Sequence, residues 1–354
     1  FMKAADYGTQ TNAAAAFVAT NSICQGQQVP ILWSLIFETG HEIAFAHTSF
    51  KWANLASHNA GVTVIIVGIS NHAGKVRYLF SVGDAGQTVA KEAENINAYL
   101  VSGANVIVSS QSKTKDGRGL MEWGNKPTDN GHLTLSTTER QEIESGNIQA
   151  AKFIRPYYGA AEYIRGLERF CIWVEDGDAQ IATEISDFRE RFEKVRAFRA
   201  ASKAAETRPA ANFPHRFRQI QSVAKTHTII LSRICSEKRE YLSVGLLDHR
   251  VILSDQAFAL YDAPLWNIAI IASRLHLVWI ATVCGKLKTD FRYSNTLGWN
   301  TFPVPTLTEQ NKTDLTRCAE DILLAREHYF PATIADMYDP ERMDTEFPFV
   351  REAH

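Results

Sequence analysis

The groups best equipped for chemistry are cationic, amide and aromatic side chains concentrated in two stretches of the chain. In the first, Ser232-Arg233-Ile234-Cys235-Ser236-Glu237-Lys238-Arg239-Glu240-Tyr241, acids and bases alternate. Arg and Lys donate to guanine O6 and N7, while Glu accepts from cytosine N4. Ser236, Glu237, Lys238 and Arg239 therefore suit the reading of base edges. The second stretch runs through residues 274–305. An apolar helix pattern, with Leu275, Val278, Trp279, Thr282 and Val283 at helical spacing, stops at Gly285. Lys286, Lys288, Arg292, Tyr293, Ser294 and Asn295 follow. Phe302-Pro303-Val304-Pro305 closes the stretch, with two prolines that neither continue a helix nor pair in a central strand. A basic, aromatic loop held this way presents donors to a polyanion. On this stretch alone the simpler reading, a connecting loop with a solvated charged face, comes first.

Other chemistry finds little support. The chain has no His-Glu-x-x-His, Gly-x-Ser-x-Gly or P-loop pattern, and its 11 histidines are dispersed. Gly117-Arg118-Gly119 lacks the flanking strand and helix that a nucleotide loop needs. Glu190 and Lys194, which could be imagined in a nuclease site, stand four apart on a helix pattern and read as an ion pair. Five scattered cysteines without a Cys-x-x-Cys pair argue against a disulfide framework or structural zinc and fit a reducing cytoplasm. No apolar run approaches membrane-spanning length, so no membrane partner is expected. With 45% hydrophobic and 21% charged residues the chain is globular in type. Its net charge of −2 means that any polyanion site must come from local clustering. Such clustering exists. A helix pattern over 187–205 puts Phe188, Phe192, Val195 and Phe198 on one face. Arg189, Arg191, Lys194, Arg196, Arg199 and Lys203 fall on the other, which is assigned to a solvated scaffold face. Arg216 and Arg218 continue the cationic run and are placed on an anionic partner.

The elements that must position these groups follow from pattern. A helix ending at Gly8, a strand over 13–19, a helix over 28–37 and strands over 43–47 and 62–68 make up part of an α/β sheet with an open edge. An edge strand over 75–80 and short strands over 96–101 and 106–109 come next. Residues 111–132 form a long polar loop, suited to lying along a polyanion or to simple mobility. Ser136-Thr137-Thr138-Glu139 starts a helix, and Thr308-Glu309-Gln310 starts another reaching about residue 329.

Three sets of residues, in order, resemble the MmeI-like DNA adenine methyltransferases of type II restriction–modification systems. The first is Ala19-Thr20-Asn21-Ser22-Ile23 with Gln25-Gly26. The second is Arg155-Pro156-Tyr157-Tyr158-Gly159 with Glu162-Tyr163 and Glu168-Arg169-Phe170-Cys171-Ile172-Trp173. The third runs from Asp262-Ala263-Pro264-Leu265-Trp266 through Tyr293-Ser294-Asn295-Thr296-Leu297 to Phe302-Pro303-Val304-Pro305. Ser236-Glu237-Lys238-Arg239 resembles the family's Ser-Glu-Arg-Arg, with Lys238 replacing Arg, which puts any carried-over base preference in doubt.

The resemblance implies a fold and a division of labour. The fold is α/β (mixed α+β): a partial Rossmann-like methyltransferase sheet over 1–75, an α+β DNA target-recognition domain over 76–250 and a helical C-terminal region over 251–354. It also implies that Arg155, Tyr157 and Tyr158 face DNA. In the family an aromatic near Phe50 and Trp52 stacks on an adenine turned out of the duplex; their other reading is capping the core beneath their loop. Family members bind S-adenosylmethionine through a Gly-rich turn and hold adenine with Asn-Pro-Pro-aromatic. Neither motif is in this sequence. Family order places both before Phe1, and a chain opening inside a helix without Met reads as a fragment. The expectation is a double-stranded DNA recognition part, inactive alone, whose partner is the methyltransferase (with or without endonuclease) portion of the same protein. A non-catalytic specificity subunit is the second reading and a small-molecule enzyme the third.

Overall fold

The computed structural model describes residues 1–52, 62–83 and 85–354. These divide into two compact units. The first comprises Phe1–Lys115, Ile234–Glu237 and Leu275–Val304; the second comprises Asp116–Arg233, Lys238–Arg274 and Pro305–His354.

The first unit opens with α1 (Met2–Thr11), which runs past the expected stop at Gly8. It ends instead at Asn12, whose φ of 58° is left-handed and whose N–H donates to the Gly8 carbonyl. Gly8 serves packing rather than termination, because a Cβ there would overlap the His41 imidazole. Then come β1 (Ala15–Thr20), α2 (Gln28–Glu38), β2 (Glu42–Lys51), β3 (Thr63–Ser70), β4 (Arg77–Val82) and β5 (Thr88–Ala93). They form one sheet in the order β1-β3-β2-β4-β5. The β-branched run of β3 lies antiparallel between β1 and β2, with Ala15 opposite Ile69 and Lys51 opposite Thr63. β4 is parallel to β2 and antiparallel to β5. The strand expected at the edge is thus internal. The outermost β5 was not foreseen, because Thr88-Val89-Ala90-Lys91-Glu92 is exposed and carries no apolar alternation.

α2 buries Val29, Trp33 and Ile36 against Ile43, Ile65, Val67 and Ile69. In β3, Gly68 lets the Phe45 ring lie across the backbone; a Cβ would overlap it. Residues 96–101 and 106–109 are irregular apart from an Ile96–Ser102 bridge. There Asn95 and Asn97 supply side-chain bonds in place of a ladder: Asn95 Nδ2 donates to Gly103 O at 2.6 Å and Asn97 Oδ1 accepts from Tyr99 N at 3.0 Å.

The second unit contains β6 (Glu122–Trp123), β7 (Thr134–Leu135), α3 (Thr137–Gly146), β8 (Ile154–Tyr158), α4 (Ala160–Arg165), β9 (Phe170–Ile172), α5 (Ala179–Glu184), α6 (Ser186–Ala200) and β10 (His227–Ser232). After β10 the short β11 (Ile234–Cys235) belongs to the first unit. β12 (Gly245–Asp248), β13 (Ile252–Leu253), β14 (Ala257–Tyr261) and α7 (Trp266–Ala272) return to the second. Two four-stranded sheets result, β13-β8-β9-β7 and β12-β10-β14-β6. The long polar loop expected over 111–132 includes β6, paired to β14 through Trp123 and Phe258.

The capping box expected at Ser136 is present. Ser136 Oγ accepts from Glu139 N and Glu139 Oε2 from Ser136 N. On α6, Phe188, Phe192 and Val195 are buried as expected. Arg199, assigned to the solvated face, is buried completely. Its guanidinium donates to five carbonyls, those of Thr128, Ala210, Phe213, Pro127 and Arg216, at 2.8–3.1 Å. Desolvation pushes its pKa down to about 10.

α8 (Arg274–Val283) ends before Gly285, and β15 (Gly285–Leu287) and β16 (Asp290–Arg292) form a hairpin in the first unit. A Thr308 capping box opens α9 (Glu309–His328), which packs on α7; α10 (Ile334–Met337), α11 (Met343–Glu346) and α12 (Pro348–Ala353) complete a helical C-terminal segment. The architecture is mixed α/β and α+β, as expected. Among the described residues no single helix is long and apolar enough to cross a membrane.

Candidate nucleic-acid interface

In the first unit the hairpin is the positioning element. β16 pairs with β15 on one side and β11 on the other, with Ile234 opposite Arg292 and Cys235 opposite Phe291. The two stretches singled out in the sequence, some fifty residues apart, thus meet in one three-stranded ribbon. Lys288 occupies the tight connection with φ 59°, and its exposed ammonium makes no hydrogen bond or ion pair among the described residues. Arg292 is likewise exposed and unpaired among them. Glu237 is exposed beside the hairpin: its N–H reaches Asp290 Oδ1 at 3.4 Å and its carboxylate lies 3.5 Å from Lys286 Nζ. Ser236 and Asn295 are half-buried, and Asn295 Oδ1 accepts from the Thr296 N–H at 3.0 Å. Lys286 was not among the predicted site residues. The two-residue alternation of Lys286, Lys288 and Asp290 was the signal for it.

Tyr293 requires correction. Its side chain is 3% exposed, and its hydroxyl bonds His276 Nε2 at 3.0 Å beside Trp299. It is a core residue with no surface to offer DNA. Phe50 and Trp52 stand at the end of β2. Phe50 is half-buried with its ring 4.6 Å from that of His47, and Trp52 is 40% exposed with its ring 6.3 Å from that of Phe50. Ala53 and Asn54 of the same segment lie outside the described residues.

In the second unit, Arg155 on β8 and Arg216 share a cavity of about 300 Å³ with Trp173, Glu175, Asp176 and Val223. Arg155 makes no hydrogen bond among the described residues. Arg216 is held by Asp176 at 2.6 Å, and His215 occupies the other oxygen of the same carboxylate at 2.8 Å. Arg218 donates to the Glu206 carbonyl at 3.2 Å. Lys238 is exposed, while Arg239 is half-buried and donates to Ser243 Oγ at 3.0 Å. The boundary between the units falls between Glu237 and Lys238, so the segment 236–239 contributes to both.

Tyr157 is the second correction. At 3% exposure it packs edge-to-face on Phe217, and its hydroxyl donates to the Asn125 carbonyl at 3.2 Å. Neighbouring Tyr158, on the opposite strand face, is half-buried, and burial raises its hydroxyl pKa. Arg169 pairs with Glu162 at 3.0 Å.

Comparison with known proteins matches two family models to the chain. The family model described as the MmeI target recognition domain matches residues 102–306, and that described as the MmeI DNA-methyltransferase domain matches residues 1–81. The chain belongs to the MmeI family. DNA methyltransferase A of Bacillus subtilis (strain 168) is 35% identical over 353 residues, 99% of this chain and 39% of that protein. A solved structure of the type IIL restriction–modification enzyme MmeI in complex with DNA superposes with a TM-score of 0.91 at 32% identity, covering 99% of this chain and 47% of that one. The chain thus spans less than half the length of either relative.

Proposed function

We propose that this chain is the sequence-specific DNA-recognition part of an S-adenosylmethionine-dependent DNA adenine-N6 methyltransferase of a restriction–modification system. The observation that carries the reading is the ribbon that sets the exposed Lys288 and Arg292 beside Glu237, in a chain of the MmeI family. In this reading Glu237, Lys238 and Arg239, with Ser236, read base edges, each good contact supplying about 1–3 kcal/mol of discrimination. Arg155, Arg216, Arg218, Lys288, Arg292 and Asn295 fix the duplex through its backbone. Phe50 and Trp52 receive the displaced adenine. By sequence, residues 1–75 are the distal part of the methyltransferase domain, 76–250 the target-recognition domain and 251–354 the helical C-terminal region.

The residues present do not fit the cofactor. The turn after β1, Asn21–Cys24, holds no glycine, and the single Gly26 before α2 falls short of a Gly-rich loop at a helix start. S-adenosylmethionine belongs to the intact parent, and this chain alone does not methylate. The sheet is consistent with that assignment: among the described strands none pairs with the outer edge of β1, which suits a further strand from the parent.

The test replaces Glu237, Lys238 and Arg239 singly with Ala in the intact protein and maps the methylated sequence. A changed or relaxed base at one position per variant is expected. An unchanged sequence in all three refutes the assignment.

A further inference from the structure

The first unit contains a polar cavity of about 260 Å³ that the reading above does not use. Its wall is built from the turn after β1 (Asn21, Gln25), the end of β2 (Thr48, Ser49), Thr282 of α8, and Lys286 of the hairpin. Thr48 and Ser49 lie at the irregularity in β2 between His47 and Phe50, where strict alternation is broken, and both line the cavity. Asn21 Nδ2 is buried and makes no hydrogen bond among the described residues. The Thr48 and Ser49 hydroxyls make none among the described residues. Gln25 uses its Oε1 to accept the Lys286 N–H at 3.1 Å, which leaves its amide donor uncommitted. Among the described residues no carboxylate lines the cavity, and its one formal charge there is the Lys286 ammonium. That ammonium is only loosely countered, by exposed Glu237 at 3.5 Å and by the face of Phe291 at 5.2 Å. A buried orphan donor beside free hydroxyls and a cation is matched by a ligand that is all acceptor and negatively charged.

We infer that this cavity is a phosphodiester-binding site, taking one backbone phosphate of bound DNA on Lys286, Asn21, Thr48 and Ser49. The inference rests on the DNA-recognition reading and adds to it a positioning contact that carries no sequence information. Because Lys286 also neighbours Glu237, seating the phosphate draws the ammonium away from the carboxylate and leaves Glu237 free to accept from a base.

The experiment titrates the intact protein into a labelled duplex by fluorescence anisotropy at several salt concentrations. Wild type should bind with an affinity that falls as salt rises. Lys286→Gln should flatten the slope of log K against log salt by about 0.9, the value of one lost phosphate contact, and Lys286→Arg should restore it. Asn21→Asp, nearly isosteric, puts a carboxylate against the phosphate and should weaken binding about tenfold at low salt. Wild type that shows no salt-dependent binding overturns the DNA reading and the pocket with it. Salt-dependent binding that either Lys286→Gln or Asn21→Asp leaves as in wild type overturns the pocket alone.

Discussion

At the residue scale, Phe50 and Trp52 state the division between chemistry and packing most clearly. Trp52 keeps 40% of its surface exposed, whereas the Phe50 ring rests on His47. A stacking platform for a displaced base contributes roughly 1–3 kcal/mol. Replacing Trp52 and Phe50 with Ala in the intact protein should therefore slow methylation about tenfold or more while leaving the chosen sequence alone. A single-turnover assay on a mapped duplex measures both, and unaltered turnover would remove the stacking role. Tyr157 and Tyr293 show where residue types misled. An aromatic ring with a polar tip suits a core partnered by one hydrogen bond as well as it suits a DNA surface. For Tyr157-Tyr158 the strand period held a warning, since consecutive side chains point to opposite faces and both tyrosines cannot face one ligand. No comparable local signal marked Tyr293, whose partner His276 lies 17 residues earlier on α8.

At the scale of elements, signals written in adjacent residues were legible and those requiring distant partners were not. The Ser136 and Thr308 caps gave the starts of α3 and α9, and the β-branched run gave β3. The order β1-β3-β2-β4-β5 depends on pairing across long loops, which no local pattern encodes. α6 shows the same limit. Phe188, Phe192 and Val195 of its apolar stripe are buried, but helical spacing alone put Phe198, which is exposed, on the buried face and Arg199 on the solvated one. The carbonyls that bind it belong to residues 127–128 and 210–216. Arg199 thereby ties α6 to two loops. Arg199→Met should leave those carbonyls without their donor and lower unfolding stability by more than about 3 kcal/mol. Urea denaturation checks this, and a loss under about 0.5 kcal/mol would contradict the stapling role.

At the scale of the whole molecule, pH distinguishes the second unit. Glu139 is held down to about 2, first by the Ser136 N–H and then by Arg191. Asp336 is held down to about 2 by the Thr333 hydroxyl and N–H and by Arg342. Carboxyls whose folded pKa lies below the unfolded value bind protons less readily in the native state. The stability they contribute is complete above the ordinary carboxyl range, about 4, and drains away as pH falls toward 2. Urea midpoints measured between pH 5 and pH 2 should fall steeply for wild type and less steeply for Glu139→Gln combined with Asp336→Asn. Parallel curves would show that these carboxyls do not set the acid response. The sequence marked Glu139, through Ser136-Thr137-Thr138-Glu139, but neither the Thr333 capping box that holds Asp336 nor the arginines that reinforce the two carboxyls.

The backbone passes from one unit to the other five times, after Lys115, Arg233, Glu237, Arg274 and Val304. No single peptide bond therefore separates the two. A single crossover between residues 235 and 290 would divide the first unit and split the β11–β16 pairing between strangers. Inheritance of a new recognition sequence in this lineage must then proceed by point replacement or by exchange of several segments together.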